Sequence, residues 1–115
     1  MEIAVDQSDP GAGVVLQIIG TVTLRNVSKL RETLAMYIGS GHDLIIDLTA
    51  ITFMDTTGIT VMSRAERQVR ERGHRMEIVI DQGRVIDQPR FNDVTRAFRV
   101  HPSVAQARTQ LTDPS

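Results

Sequence analysis

Cysteine is absent from the 115 residues, so disulfides, thiolate nucleophiles and cysteine-ligated clusters are excluded. Tryptophan is absent too, and three Phe and one Tyr bring aromatics to only 3%. Base stacking on aromatic platforms is not expected, and Leu, Ile, Val and Met must fill the core. Neither sign of charge dominates. Thirteen Lys and Arg face fourteen Asp and Glu, for a formal net charge of −1, which builds no field for nucleic acid or anionic lipid. No apolar run approaches the roughly 20 residues of a membrane-spanning helix. Met1-Glu2-Ile3-Ala4-Val5-Asp6 carries neither the basic nor the apolar segment of an export signal. The expectation is a soluble, cytoplasmic chain with no membrane insertion and no nucleic-acid partner.

What is present is a core's worth of aliphatic residues, 41% hydrophobic overall, on a length that fits one domain over 1–115. Ile3 to Val5 reads as a short edge strand, and Asp9 to Gly13 as a turn. Val14 to Gly20 alternates as a strand. Asn26 is placed to cap a helix whose apolar face is Val27, Leu30, Leu34, Tyr37 and Ile38. Gly39-Ser40-Gly41 stops that helix. Leu44 to Leu48 is apolar almost throughout, the pattern of a strand buried on both faces, and a short loop follows it.

A second helix is predicted from Thr57 to Arg72, with Ile59, Met62, Ala65 and Val69 inward and Gly73 at its end. Met76 to Ile80 reads as a strand. Arg84 to Gln88 reads as a short helix cut by Pro89, and Ala97 to Val100 as a last strand. Ser103 is placed to cap a final helix, and the tail from Thr112 is expected to fray. The order β-β-α-β-α-β-α-β-α predicts an α/β domain. Its expected architecture is a mixed sheet of four to five strands, some parallel, with about four helices packed on it.

Catalytic patterns find no support. His42, His74 and His101 lack metal-ligand spacing and adjoin turns, so they read as loop histidines, with no metal and no cofactor expected. Phosphate-binding glycine loops and a nucleophile elbow are absent. Asp47-Leu48-Thr49 follows a buried strand, as a phosphoryl-accepting Asp does. The second Asp that such chemistry needs is missing, so Asp47 reads as a loop anchor. Arg64, Arg67, Arg70, Arg72 and Arg75 form the main basic feature. It is a solvated helix face or a contact surface for an acidic partner.

One stretch is distinctive. Phe53-Met54-Asp55-Thr56-Thr57-Gly58 sets an acid and two hydroxyls where a helix must begin. One hydroxyl suffices as an N-cap, worth about 1 kcal/mol. The second can be a further cap or an address for a phosphate, which would meet free N–H groups and the helix dipole. Gly58, without a side chain, is expected to leave the backbone open to another protein.

This hexapeptide resembles the signature of bacterial anti-sigma factor antagonists of the STAS domain family. Leu44-Ile45-Ile46-Asp47-Leu48-Thr49, the strand ending Ile18-Ile19-Gly20 and the helix from Val27 to Ile38 are similar to that family as well. The resemblance implies a STAS fold and a regulator that is not an enzyme. It implies phosphorylation of Thr56 by a serine/threonine kinase that doubles as the anti-sigma factor, and a phosphatase that reverses it. Partner binding falls to Asp55, Thr56, Thr57, Gly58, Ile59 and Thr23, where many members carry Asp at position 23. Thr60 stands where a second Gly is common. The same motif also occurs in stressosome-type scaffold subunits and in STAS accessory subunits of lipid or solute transporters.

Overall fold

A computed structural model gives the architecture, and it describes residues 1–81, 94, 96 and 98–112. Among the described residues, six strands form one mixed sheet. In chain order they are β1 (Glu2–Asp6), β2 (Val14–Val22), β3 (Leu44–Asp47), β4 (Ile51–Met54), β5 (Met76–Val79) and β6 (Val100–His101). Helices α1 (Val27–Gly39), α2 (Thr56–Glu71) and α3 (Val104–Thr112) pack on the sheet. β1 is antiparallel to β2, and the β2–β3, β3–β5 and β5–β6 pairs are parallel.

β3 explains why the sheet must be covered twice. Leu44, Ile45 and Ile46 are all fully buried. Leu44 and Ile46 enter the main core with Leu30 and Leu34 of α1 and Met62 and Ala65 of α2. Ile45 enters a smaller core on the opposite face, with Val15, Val79 and Ala107 of α3. Each fully buried aliphatic side chain of this kind contributes about 1.5–3 kcal/mol.

The sheet departs from the expected layout at β4. The residues after β3 were read as loop, yet Ile51–Met54 is a strand that pairs in parallel with the far end of β2. β2 serves two partners in succession, with Val14–Gln17 on β3 and then Gly20–Val22 on β4. The register shifts between Gly20 and Thr21. Gly20 has φ 95°, a conformation that glycine adopts without strain. This extra strand takes the sheet to six.

Other differences are local. Asn26 occupies the cap position of α1, but its side chain makes no capping bond. Its Oδ1 instead accepts from the Thr23 N–H at 2.9 Å, and its Nδ2 donates to the Thr21 carbonyl at 2.9 Å. The last strand is Val100–His101 rather than Ala97 to Val100. His101 is therefore a strand residue and not a loop histidine. Its Nε2 lies 3.7 Å from the carboxylate of Glu77. Glu77 is buried inside a strand read as apolar, and Arg75 approaches it at 3.6 Å. The helix expected over Arg84 to Gln88 and its stop at Pro89 lie outside the described residues. Ser103 does cap α3, accepting from the Gln106 N–H at 3.2 Å.

The two-sided burial of β3 is testable. Ile45→Ala and Ile46→Ala point to opposite faces, and each should lower unfolding free energy by about 2–5 kcal/mol. Urea midpoints for both variants check this. A sheet open on one face would leave one of the pair nearly neutral.

Candidate functional site

The site forms where the ends of β2 and β4 meet the start of α2. The Asp55 N–H donates to the Val22 carbonyl at 3.0 Å, which ties the residue after β4 to the end of β2. Asp55 has an extended backbone (φ −86°, ψ −179°) and is the N-cap of α2. Its Oδ1 accepts from the backbone N–H groups of Thr57 at 3.0 Å and Gly58 at 3.3 Å. The Thr57 hydroxyl donates to the same oxygen. Oδ2 accepts from the Leu24 N–H at 3.1 Å. One carboxylate thus caps a helix and pins the loop between β2 and α1.

These bonds hold the Asp55 carboxyl below its ordinary carboxylate range. The Thr57 hydroxyl is the largest cause, burial opposes it, and the N–H groups of Gly58, Leu24 and Thr57 add to the lowering.

The two threonines are not equivalent. Thr57 is half-buried and its hydroxyl is committed to Asp55. Thr56 is exposed. Its carbonyl accepts from the Thr60 hydroxyl at 2.9 Å, while its own hydroxyl makes no hydrogen bond among the described residues. The helix starts one residue earlier than expected, and its cap is Asp55 rather than either threonine. The N–H groups of Thr57 and Gly58, expected to be free for an anion, are already taken by that carboxylate.

Gly58 also differs from expectation. It is buried and does not open the backbone to a partner. A Cβ there would lie 2.8 Å from Met54 Cγ and 2.9 Å from Val22 Cγ1. The missing side chain lets α2 start flush against the ends of β2 and β4. Ile59 is half-buried and packs on the margin of the main core. Val61, which is not among the inward residues expected of this helix, is buried in the main core.

Thr23 is brought to the site through its neighbour. Its Oγ1 accepts from the Arg25 N–H at 3.3 Å, and its carbonyl accepts from the Val27 N–H at 2.9 Å. This tight turn presents Leu24 beside Asp55. Leu24, whose N–H bonds Asp55, and Phe53, two residues before Asp55, are 74% and 43% exposed, so uncovered apolar surface lies next to the cap of α2. Sequence reasoning left Leu24 out. Its signal was an apolar residue after Thr23 that no helix or strand period explains.

The remaining candidates separate cleanly. Asp47 Oδ1 accepts from the Thr49 N–H and hydroxyl at 2.9 and 2.7 Å, and Gln17 reaches Oδ2 at 3.4 Å. It anchors its loop, as expected. His74 lies 3.3 Å from Asp43. Among the described residues, no group of three His, Cys, Asp or Glu could hold a metal, and no helix is long and apolar enough to cross a membrane.

A mixed sheet flanked by helices, with an acid-capped helix whose first hydroxyl has no hydrogen-bond partner among the described residues, defines an α/β domain. The chain belongs to the STAS domain family, whose model matches residues 3–107. Its fold is similar to that of an anti-sigma factor antagonist from Mycobacterium paratuberculosis. The TM-score is 0.79 at 15% identity, over 97% of this chain and 94% of that one. The unphosphorylated form of the anti-sigma factor antagonist SpoIIAA matches with TM-score 0.71 at 14% identity, over 95% and 96% of the two chains. The phosphorylated form of SpoIIAA, a Bacillus cell fate determinant, matches with TM-score 0.66 at 15% identity, over 95% and 98%. Among curated proteins, none matches the sequence.

Two outcomes test the geometry. Gly58→Ala gains helix propensity of about 1 kcal/mol, but the contacts with Met54 and stiff Val22 should outweigh it. A net loss of about 1–3 kcal/mol in chemical denaturation is expected. Asp55→Asn tests the charge. Because the folded carboxyl titrates below its reference value of 3.8, its contribution is full above that value. It is lost as pH falls through the lower folded value. The parent should therefore exceed Asp55→Asn in stability at about pH 7, and the gap should narrow as pH falls below the reference value of 3.8.

Proposed function

We propose that this chain is an anti-sigma factor antagonist, a binding switch without catalytic activity that is turned off by phosphorylation of Thr56. Its partner is an anti-sigma factor that is also a serine/threonine kinase, and a phosphatase resets it in the cytoplasm. The unphosphorylated form binds the anti-sigma factor and so frees a sigma factor. The observation that carries the reading is the contrast between the two hydroxyls. Thr56 is exposed and uncommitted, whereas Thr57 is held by Asp55. The fold shared with proteins described as anti-sigma factor antagonists supports it.

The partner-facing surface in this reading joins Asp55, Thr56, Thr57, Ile59 and the turn at Thr23, with Leu24 and Phe53 as its apolar anchors. Gly58 supports it from below by letting α2 seat closely. Phosphorylation adds about −1.5 to −2 charges at pH 7. The helix dipole favours an anion there by about 0.3–1 kcal/mol, and the adjacent Asp55 carboxylate opposes it. The two effects nearly offset, so the fold survives and the interface is what changes. A hundredfold loss of affinity needs about 2.8 kcal/mol, within reach of one charge set among apolar anchors.

With the partner kinase and labelled ATP, Thr56→Ala should abolish labelling and Thr57→Ala should only weaken it. The reverse pattern would overturn the assignment. Phosphorylated and unmodified protein should melt within about 5 °C of each other, while calorimetric titration shows partner affinity falling about a hundredfold or more. A phosphorylated form that melts far lower would mean switching by local unfolding.

A further inference from the structure

The basic feature on α2 is not absorbed by the site at Thr56. Two of its five arginines have partners. Arg70 pairs with Glu66 one turn back at 3.4 Å, and Arg75 reaches Glu77 at 3.6 Å. The others border a groove along the seam between α1 and α2. One part of it holds about 290 Å³. Buried Leu34, Ile38, Val61 and Ala65 make its floor. Small residues open it, because Ala35 and Ala65 place only methyl groups at the crossing. Further hollows of about 310 and 250 Å³ continue it toward Arg72 and Arg67.

The rim is strongly one-signed. Arg31 projects from α1, Arg64 and Arg67 project from α2, and Arg72 closes the far end. Among the described residues, none of these four has a carboxylate within ion-pair distance. Among the described residues, Glu71 is the one acid lining the groove. This concentration of positive charge stands on a chain of net charge −1.

We propose that the α1/α2 seam is a docking groove for an acidic amphipathic helix of a partner protein. Aliphatic side chains on one face of that helix enter the floor, and carboxylates along its flanks meet Arg31 and Arg64, then Arg67 and Arg72. Length fits the occupant. From Val61 to Glu71 the seam runs about 15 Å at 1.5 Å per residue, close to three helical turns. Charge fits it too, since guanidinium forks pair with carboxylates on both sides of the groove. The chemistry disfavours an acyl chain, because the floor is short and half open and could not enclose one. The groove starts five residues beyond Thr56, about 7.5 Å along the helix. It can therefore be occupied whatever the state of that hydroxyl, and the proposal stands apart from the reading at Thr56.

The test uses the full chain, labelled with ¹⁵N, and three probes. One is a helix-stapled peptide of about 14 residues with Leu and Ala on one face and Glu on both flanks. The second has Lys in place of every Glu. The third is sodium dodecanoate. Amide shifts should move around Arg31, Ala35, Arg64 and Gln68 with the acidic peptide alone. Its affinity should fall at least tenfold when salt rises from about 0.02 to about 0.2 M. Arg31→Glu with Arg64→Glu should abolish that binding and admit the Lys peptide instead. Ala35→Trp, which fills the groove and leaves every charge in place, should abolish binding of the acidic peptide. Thr56→Ala should change nothing, so failure here and failure at Thr56 remain separable. No shifts in the seam at about 1 mM acidic peptide, undiminished binding by the double variant, or occupation by dodecanoate alone would each overturn the proposal.

Discussion

The structure turns on the carboxylate of Asp55. It accepts from two N–H groups and one hydroxyl at the start of α2, and from the Leu24 N–H across the gap to the preceding loop. Four donors around one charged group make a strong, directional junction. The junction needs β4 beside β2, because β4 delivers Asp55 to its position. It needs the glycine kink at Gly20, because without the register shift the end of β2 could not reach β4. It also needs Gly58, since any side chain there would push α2 off both strands. The expected economy, in which a threonine caps the helix and the acid stands beside it, is reversed. The acid caps the helix, and that releases one threonine.

That release gives the motif its chemistry. A helix N-terminus with open N–H groups would draw a phosphate inward and bury its charge in hydrogen bonds. Here the N–H groups of Thr57 and Gly58 are occupied by Asp55, so under the proposed reading a phosphate on Thr56 would find fewer donors and would stand beside a carboxylate. A rigid junction also leaves little slack for the fold to absorb the change. The consequence is passed to whatever faces the surface, which is what a switch read by another protein requires.

The sequence disclosed the parts that rest on long, consistent patterns. Val27, Leu30, Leu34 and Ile38 announced α1, and the unbroken run from Leu44 announced a strand buried on both faces. Asp55-Thr56-Thr57-Gly58 announced the site. What it concealed depends on partners distant in the chain. Ile51–Met54 is buried at both ends and exposed in its middle, a pattern set by its place at the end of β2 and not by alternation. Glu77 hides in an apolar strand because Arg75 and His101 meet it there. Asn26 looks like a cap and bonds backwards into its own turn. Thr56 and Thr57 are chemically alike, and only the direction of the Asp55 side chain tells them apart.

α2 joins the two surfaces. Its N-terminus carries the free hydroxyl, and its flank carries the arginine-rimmed seam, with one rigid helix fixing the distance between them. A partner that touched both would gain from the second contact through its raised local concentration, without either contact being strong. A charge placed at Thr56 would then cost such a partner one contact and leave the other. Binding would weaken steeply without being erased, and the residual part would be the salt-sensitive part, because it rests on Arg31, Arg64, Arg67 and Arg72. A partner confined to the N-terminal end would lose everything at once and show little dependence on salt. The shape of the residual binding curve of the phosphorylated chain therefore reports which of the two surfaces its partner uses.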